Sequence, residues 1–167
     1  MMKKKQLIII LTVFASLSMT ACKPRYHTAL QDPLSVTIGA NQVIDIDFNQ
    51  ISDDVIENLS DDAQTYGFVK DLQISGTNDP KQVDVTVEIM DDVSDDAIKL
   101  FMSDVLTQIS EEACVQDSRY TEPSTDGLGS FYDSYAIHYE IKQGDADYEN
   151  QTISAGESIP FGVVLNN

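Results

Sequence analysis

The side chains with the clearest capacity for chemistry are carboxylates, placed in segments where apolar and polar residues alternate. One pair lies in "VIDIDF" and another in "VDVTVEI", while "YAIHYEIK" adds a histidine and a glutamate at alternate positions. Hard divalent cations bind several oxygen ligands, and imidazole is a ligand of transition metals. If these segments lie side by side, their polar side chains would form one surface able to bind a divalent cation. The candidate residues are Asp45, Asp47, Asp84, Glu88, His138 and Glu140.

The same pattern is also expected of a solvated protein surface. An antiparallel sheet commonly packs one face on the core and leaves the other in water, which gives this alternation without any ligand. A partner protein could equally contact such an acidic face. The residue types alone leave a solvated face, a partner surface and a cation site open, and we favour the first two.

Nucleophilic catalysis finds little support in the residue types. Cys114 follows Ile109 and Ala113 at helical spacing, which predicts a small, buried, apolar side chain. A nucleophile needs a basic partner, but the chain has only His27 and His138, and nothing in the sequence places either beside Cys114. The chain has no phosphate-binding loop, no Gly-x-Ser-x-Gly motif and no Cys-x-x-Cys pair. We therefore expect no catalytic residue and no cofactor.

The N-terminal segment has the organisation of an export signal. Three lysines at positions 3–5 precede the apolar run "LIIILTVFASLSM", and the run ends on small residues and Cys22. The apolar core has about 13 residues, which is shorter than the about 20 needed to cross a bilayer. The sequence predicts a signal peptide over residues 1–21, cleaved between Ala21 and Cys22.

The residues Met19-Thr20-Ala21-Cys22 resemble the lipobox of bacterial lipoprotein precursors, which ends in a small residue and an obligatory cysteine. Members of that family usually carry leucine where this chain has Met19. The resemblance implies that diacylglycerol is attached to the Cys22 thiol and that Cys22 becomes the lipidated N-terminus. It covers only this segment, and an ordinary secretory signal with an incidental cysteine remains the alternative.

A lipidated N-terminus would hold the protein on a membrane outside the cytoplasm. Several acyl chains bind a bilayer far more strongly than one chain can. In lipoproteins of this kind, an aspartate after the cysteine typically causes retention at the inner membrane, and this chain has Lys23 there. We expect a lipid anchor in the cell membrane or the outer membrane.

The charge of the chain limits its partners. Removing the three signal lysines leaves 7 Lys and Arg against 28 Asp and Glu, a net charge of −21. So acidic a protein does not bind nucleic acid by neutralising phosphates. The expected partners are the membrane, through the lipid, and another cell-envelope protein or a ligand, although the charge could serve solubility alone.

Hydrophobic periodicity predicts the elements that carry these residues. "VIDIDF" alternates like a strand, and apolar positions after Ser52-Asp53-Asp54 take helical spacing, which predicts a helix near residue 52. "FVKDLQIS" and "QVDVTVEIM" flank the turn-forming "GTNDPK", as in a hairpin. Ser94-Asp95-Asp96 repeats the capping pattern ahead of a longer helix, and "YAIHYEIK" is a further strand.

These elements predict one fold. The order β-α-β-β-α-β predicts an α+β domain of ferredoxin-like type, with an antiparallel sheet and both helices on one face. The segments "VIDIDFNQISDDVI" and "VTVEIMDDVSDDAI" align without a gap at their Ser-Asp-Asp triplets, as two structural halves would. The C-terminal "QTISAGESIPFGVVLNN" could add an edge strand or hairpin. We assign residues 22–40 to a lipidated tether and 41–167 to this single domain.

Two functional hypotheses follow. In the first, the protein is a non-catalytic, acidic interaction or ligand-binding module of the cell envelope. In the second, the acidic sheet face binds a divalent cation or forms an enzyme site with His138. The scarcity of histidine and arginine, and the lack of tryptophan, favour the first. Fold class does not decide between them, because one fold supports many functions.

Overall fold

Two helices and a mixed four-stranded sheet form the described part of the chain. The computed structural model describes residues 43–61, 65–144 and 146–163, so the predicted signal peptide, the tether, Ala21 and Cys22 lie outside it. The elements are α1 (Phe48–Asp61), β1 (Val69–Asn78), β2 (Lys81–Ile89), α2 (Asp95–Gln116), a short 3-10 helix (Phe131–Asp133), β3 (Ala136–Gln143) and β4 (Ala146–Ile153). The α+β class and the two helices of the prediction are confirmed.

The sheet runs β1-β2-β3-β4 and combines two kinds of pairing. The β1–β2 and β3–β4 pairs are antiparallel, whereas β2 and β3 are parallel. Parallel neighbours need a crossover connection, and here α2 lies in the chain between them. The prediction of a wholly antiparallel sheet is therefore wrong at its centre.

The hairpin and the α2 helix form where the sequence predicts them. Asp79 and Pro80 join β1 to β2 and lie within the polar, turn-forming segment "GTNDPK". Ser94 is the N-cap of α2, and its Oγ accepts a hydrogen bond from the Ala97 N–H at 3.3 Å. Asp95 and Asp96 occupy the first turn, where the helix dipole favours negative charge.

The predicted first strand does not exist. Residues 43–47 have no regular structure, and α1 begins at Phe48, because the Asp47 carboxylate accepts hydrogen bonds from the N–H groups of Asn49 and Gln50. The alternation of burial is nevertheless present, since Ile46 and Phe48 are buried while Asp45 and Asp47 are exposed. The alternation of apolar and polar residues therefore indicates which side chains face the core. It does not indicate that a neighbouring strand pairs with this segment.

This change moves the whole element order. The chain reads α-β-β-α-β-β in place of the predicted β-α-β-β-α-β, so the ferredoxin-like order does not hold. Ser52 lies inside α1 and is not its cap, whereas Ser94 is the cap of α2. The gap-free alignment of the two Ser-Asp-Asp triplets consequently has no structural counterpart.

One apolar core lies on one side of the sheet. Along β2, Val83, Val85, Val87 and Ile89 are buried, and in the parallel register β3 places Ile137, Tyr139 and Ile141 beside the first three. Both helices contribute side chains to the same cluster. The middle of α2, from residue 101 to 110, is buried around its full circumference.

The C-terminal prediction holds in part. β4 is an edge strand, but it begins before the predicted segment, of which only Gln151–Ile153 belong to the strand. Beyond β4 the chain has no further strand up to residue 163, where the description ends. Phe161 packs edge-on against Tyr139 with 5.3 Å between ring centres. The tail therefore covers part of the core beside β3.

Candidate functional site

The face of the sheet opposite the core carries four of the six predicted site residues. Asp84 and Glu88 lie on β2, and His138 and Glu140 lie on β3, all on polar positions that alternate with buried ones. The register pairs Asp84 with His138 and Thr86 with Glu140. We call this surface, formed by the polar positions of β1 to β4, the open face.

The open face is polar across all four strands. The register gives three rows of neighbours, read from β1 to β4: Ser75, Asp84, His138 and Thr152; then Gln73, Thr86, Glu140 and Asn150; then Asp71, Glu88, Lys142 and Asp147. No aromatic or large aliphatic side chain occurs in these rows. Such a surface suits water or a polar, charged partner.

Three carboxylates of the open face, those of Glu88, Glu140 and Asp84, contact nearby polar side chains. Lys70 Nζ lies 3.3 Å from Glu88 Oε1, and Lys142 Nζ lies 3.2 Å from Glu140 Oε2. The Gln82 amide donates to Asp84 Oδ1 at 2.7 Å. The ring nitrogen Nδ1 of His138 is 3.1 Å from Thr152 Oγ1. Because each of these carboxylates contacts a different side chain, the negative charges are distributed along the surface and do not converge on one position.

Asp45 and Asp47 are not part of this face. They precede α1, where Asp47 caps the helix and exchanges backbone hydrogen bonds with the side chain of Gln116. A groove of about 400 Å³ beside them is lined from the other side by Ser75, Gly76 and Asn78. The prediction that these two aspartates share a surface with Asp84 is wrong because the strand that would have carried them is absent.

Within residues 43–61, 65–144 and 146–163, no group of three or more His, Cys, Asp or Glu side chains is placed to hold a metal ion. Asp84 and His138 are neighbours in the register, but the carboxylates that would complete a ligand set are further along their strands.

A polar cluster that the sequence did not reveal lies at the end of the molecule where β1 meets β2. The Asn78 side chain accepts a hydrogen bond from the Ile46 N–H and donates one to the Ile46 carbonyl, both at 3.0 Å. The Tyr135 hydroxyl also donates to Asn78 Oδ1, at 2.6 Å. Asn78 thus gives an irregular segment the backbone partners that a strand would have supplied.

Charged groups surround the Tyr135 ring. Lys81 Nζ lies 5.1 Å from the ring centre, a cation–π distance. Burial raises the pKa of Tyr135 to about 12, with the neighbouring Tyr120, Asp45 and Asp117 adding to the rise. The hydroxyl therefore stays protonated and serves as a hydrogen-bond donor at neutral pH.

Asp117 and Arg119 form a close ion pair beside this cluster. Arg119 Nη2 lies 2.6 Å from Asp117 Oδ2, and Arg119 Nε donates to Oδ1 at 2.8 Å. The hydrogen bonds from Arg119 lower the pKa of Asp117. The sequence analysis did not single out Arg119, although the spacing Asp-x-Arg after a helix is compatible with a local ion pair.

Cys114 is half-buried, where the sequence predicted a buried side chain. Burial, together with the negative charges of Glu122, Glu111 and Asp117, raises the pKa of its thiol to about 11. A thiolate is the nucleophilic form of cysteine, so this environment opposes nucleophilic chemistry at neutral pH.

A buried carboxylate on α2 was also missed. Asp104 is 2% exposed and accepts hydrogen bonds from the Tyr66 hydroxyl at 3.0 Å and the Gln108 amide at 3.1 Å. Tyr66 also lines an open groove of about 330 Å³ whose walls include Leu59 and Phe101. Polar residues on a helix normally predict a solvent-facing side, so only the tertiary packing reveals this burial.

Neither α1 nor α2 combines the length and apolar composition of a bilayer-crossing helix, for the part of the chain that the structure describes. No family model, no curated protein and no solved structure matches the chain.

Proposed function

We propose that the protein is a lipid-anchored, extracytoplasmic bacterial lipoprotein whose domain acts as a non-catalytic interaction or ligand-binding module. The lipobox residues Met19 to Cys22 support the anchor. The open face supports the module, because its polar rows extend over all four strands and its charges are spaced along the surface. The spaced charge of this face is the observation that carries the proposal.

The partner of such a face is polar or cationic. A surface with several carboxylates and few cations attracts positive groups and repels polyanions. Another protein of the cell envelope, held on the same membrane, meets the domain at a high local concentration. The negative charge of the domain excludes nucleic acid as its partner. The membrane contacts the lipid and not the domain.

Replacing Cys22 with serine tests the anchor. The serine hydroxyl cannot receive the diacylglycerol thioether, so the Cys22→Ser chain should leave the membrane fraction or persist as uncleaved precursor. Cell fractionation and mass spectrometry measure both outcomes. Cys114→Ser is the matched control and should leave the anchor intact. If Cys22→Ser keeps its membrane partition and mature mass, the lipoprotein proposal is wrong.

Photo-crosslinking in living cells tests the interaction surface. A photoreactive amino acid at Thr86, on the central strand β2 of the open face, should give a discrete crosslinked product. The same amino acid at Asp53, exposed on α1, is the control. A product from Asp53 and none from Thr86 would place the partner surface elsewhere.

A cation site remains the second candidate, and one observation favours it. Asp84 and His138 are register neighbours on the two central strands, which brings a carboxylate beside an imidazole. A metal bound there would take its remaining ligands from water or from a partner. This candidate also covers an enzymatic use of the face and predicts stabilisation of the domain by a specific metal.

A further inference from the structure

The sheet has two edge strands, and their surroundings differ. β1 and β4 lie at opposite edges of the strand order. An edge strand carries unpaired backbone N–H and C=O groups, and these can pair with an extended segment of another chain. Which edge is accessible therefore decides where such a segment could add.

The edge at β1 is partly occupied by the chain itself. Near its end, Asn78 holds Ile46 through two hydrogen bonds, and residues 45–49 line one groove together with Ser75 and Gly76. The strand also contains Lys70, and lysine is a residue that commonly protects an edge from pairing. This edge is poorly suited to receive another strand.

The edge at β4 has neither feature. No strand lies beyond β4 in the part of the chain that the structure describes. Of its eight residues, only Ile153 is buried. The strand "ADYENQTI" contains no proline, glycine or lysine. Six of the eight residues are exposed, and the strand has the length of a typical complete strand.

Negative charge surrounds β4. Asp147 lies on the open face, where Glu140 of β3 is opposite Asn150. Glu149 lies on the other side of the strand, opposite Ile141, and accepts a hydrogen bond from the Tyr139 hydroxyl at 2.6 Å. The hydroxyl of Tyr148 donates to Asp95 at 2.6 Å. That hydrogen bond, together with burial and the charges of Asp95 and Glu149, raises the pKa of Tyr148. Lys142 is the cation opposite Asp147, and it already pairs with Glu140.

We propose that β4 is a docking edge for an extended, basic segment of a partner protein, which adds to the sheet as a fifth strand. Backbone hydrogen bonds would supply the pairing, and basic side chains on the open-face side of the added strand would complement Asp147. A second copy of this chain fits the edge less well, because each mature chain carries a net charge of −21. The proposal rests on the interaction-module role, but not on the lipid anchor.

Synthetic peptides serve as probes. The first alternates lysine and valine over about ten residues, the length of one long strand. The second replaces lysine with glutamate. The third keeps lysine but carries N-methyl groups on alternate backbone amides, so it retains its charge and loses one row of hydrogen-bond donors. Binding to the full chain, purified from the cells that express it, is measured by fluorescence anisotropy at low and high salt.

The expected result is binding of the lysine peptide, at least about tenfold weaker binding of the N-methylated peptide, and no binding of the glutamate peptide. Equal binding of the lysine and N-methylated peptides would mean attraction by charge alone and would overturn strand pairing. Failure of the lysine peptide to bind would overturn the proposal as well.

Amide hydrogen exchange, measured by NMR, locates the binding. Successive residues of a strand direct their N–H groups to opposite edges. Bound peptide should therefore slow exchange at alternate residues between Ala146 and Ile153 and leave β1 unchanged. Slowed exchange at β1 would overturn the assignment to β4. Chemical-shift changes confined to Thr86 and Glu140 would do the same, while leaving the open face as a partner surface.

Two proline variants complete the test. Asn150→Pro and Gln151→Pro remove N–H groups that point to opposite edges. One variant should lose a bond to β3 and melt at a lower temperature. The other should keep its melting temperature and lose peptide binding. If the variant with the unchanged melting temperature still binds, the edge is not the site. Sedimentation without peptide checks self-association, and a dimer that either proline abolishes would overturn the basic partner in favour of a second copy.

Discussion

At the scale of single residues, Asn78 and Gly76 hold the start of the domain in place. Asn78 supplies the hydrogen bonds that residues 43–47 cannot obtain from a neighbouring strand. Gly76, two residues earlier, leaves room for the Phe48 ring, because a Cβ atom there would lie 2.6 Å from two ring carbons. Both residues were predicted only as part of a turn region, and both act on a segment about 30 positions away in the chain.

Substituting Gly76 with alanine should destabilise the domain by about 1–3 kcal/mol. The new methyl group would meet the Phe48 ring and also the Gln82 carbonyl oxygen at 2.8 Å, and this backbone atom cannot move aside. Gly127→Ala is the matched control, since no atom lies within 4 Å of a Cβ there. Urea unfolding measures both free energies. Equal stability of the two variants would contradict the close approach of Phe48.

The Asp117–Arg119 pair should make stability depend on pH. Because Arg119 lowers the pKa of Asp117 from its ordinary value of 3.8, the folded state favours the ionised carboxylate. This contribution is complete above pH 3.8 and is lost as the pH falls through the lowered pKa of the folded state. The difference in unfolding free energy between the wild type and Asp117→Asn should therefore be largest near neutral pH.

Thermal or urea unfolding over a pH series checks this prediction. Arg119→Gln is the control, because it removes the guanidinium that lowers the pKa and should reduce the same acid-dependent loss. A difference between wild type and Asp117→Asn that stays constant from pH 7 to about pH 2 would show that this ion pair does not shift the titration of Asp117.

At the scale of the elements, the two helices begin by different means. The Asp47 carboxylate caps α1, whereas the Ser94 hydroxyl caps α2. The triplet Ser52-Asp53-Asp54 has the same residue types as the triplet at 94, but it lies one turn inside α1. Equal residue types thus have different roles because Asp47 offers an earlier cap.

Replacing Ser94 with alanine should cost roughly 1 kcal/mol of stability, since the Ala97 N–H loses its partner. Ser52→Ala is the matched control. Inside a helix, alanine is favoured over serine by about half a kcal/mol or less, so this variant should be neutral or slightly stabilising. Urea unfolding compares the two. A larger loss from Ser52→Ala than from Ser94→Ala would reverse the assignment of the caps.

At the scale of the whole molecule, the response of stability to metal ions separates the two functional candidates. A specific site held at 100 times its dissociation constant adds about 2.7 kcal/mol to the free energy of unfolding. If the open face is an interaction surface, millimolar calcium, magnesium, manganese or zinc should leave the melting temperature nearly unchanged. Thermal melts of residues 23–167 measure this, with Asp84→Ala and His138→Ala as comparisons. A rise that either substitution abolishes would favour the cation site.

Local patterns were sufficient for the elements whose structure depends on near neighbours in the chain. The β1–β2 hairpin follows from two alternating runs around Asp79-Pro80, and α2 follows from its cap and the spacing of Ile98, Phe101, Val105 and Ile109. The polar positions of β2 and β3 were also placed correctly on one face, so Asp84, Glu88, His138 and Glu140 could be predicted as a surface.

Only the tertiary structure decided what lies beside each element. Alternation in "VIDIDF" specifies which side chains face the core, but it contains no information on whether a strand partner exists, and here Asn78 and the Asp47 cap take that place. Hydrophobic periodicity also does not indicate that β2 and β3 run parallel. Nor does it indicate that Asp104, a polar residue of α2, is buried. These features depend on contacts between residues far apart in the chain, so the amino-acid sequence determined the faces and the tertiary structure determined their neighbours.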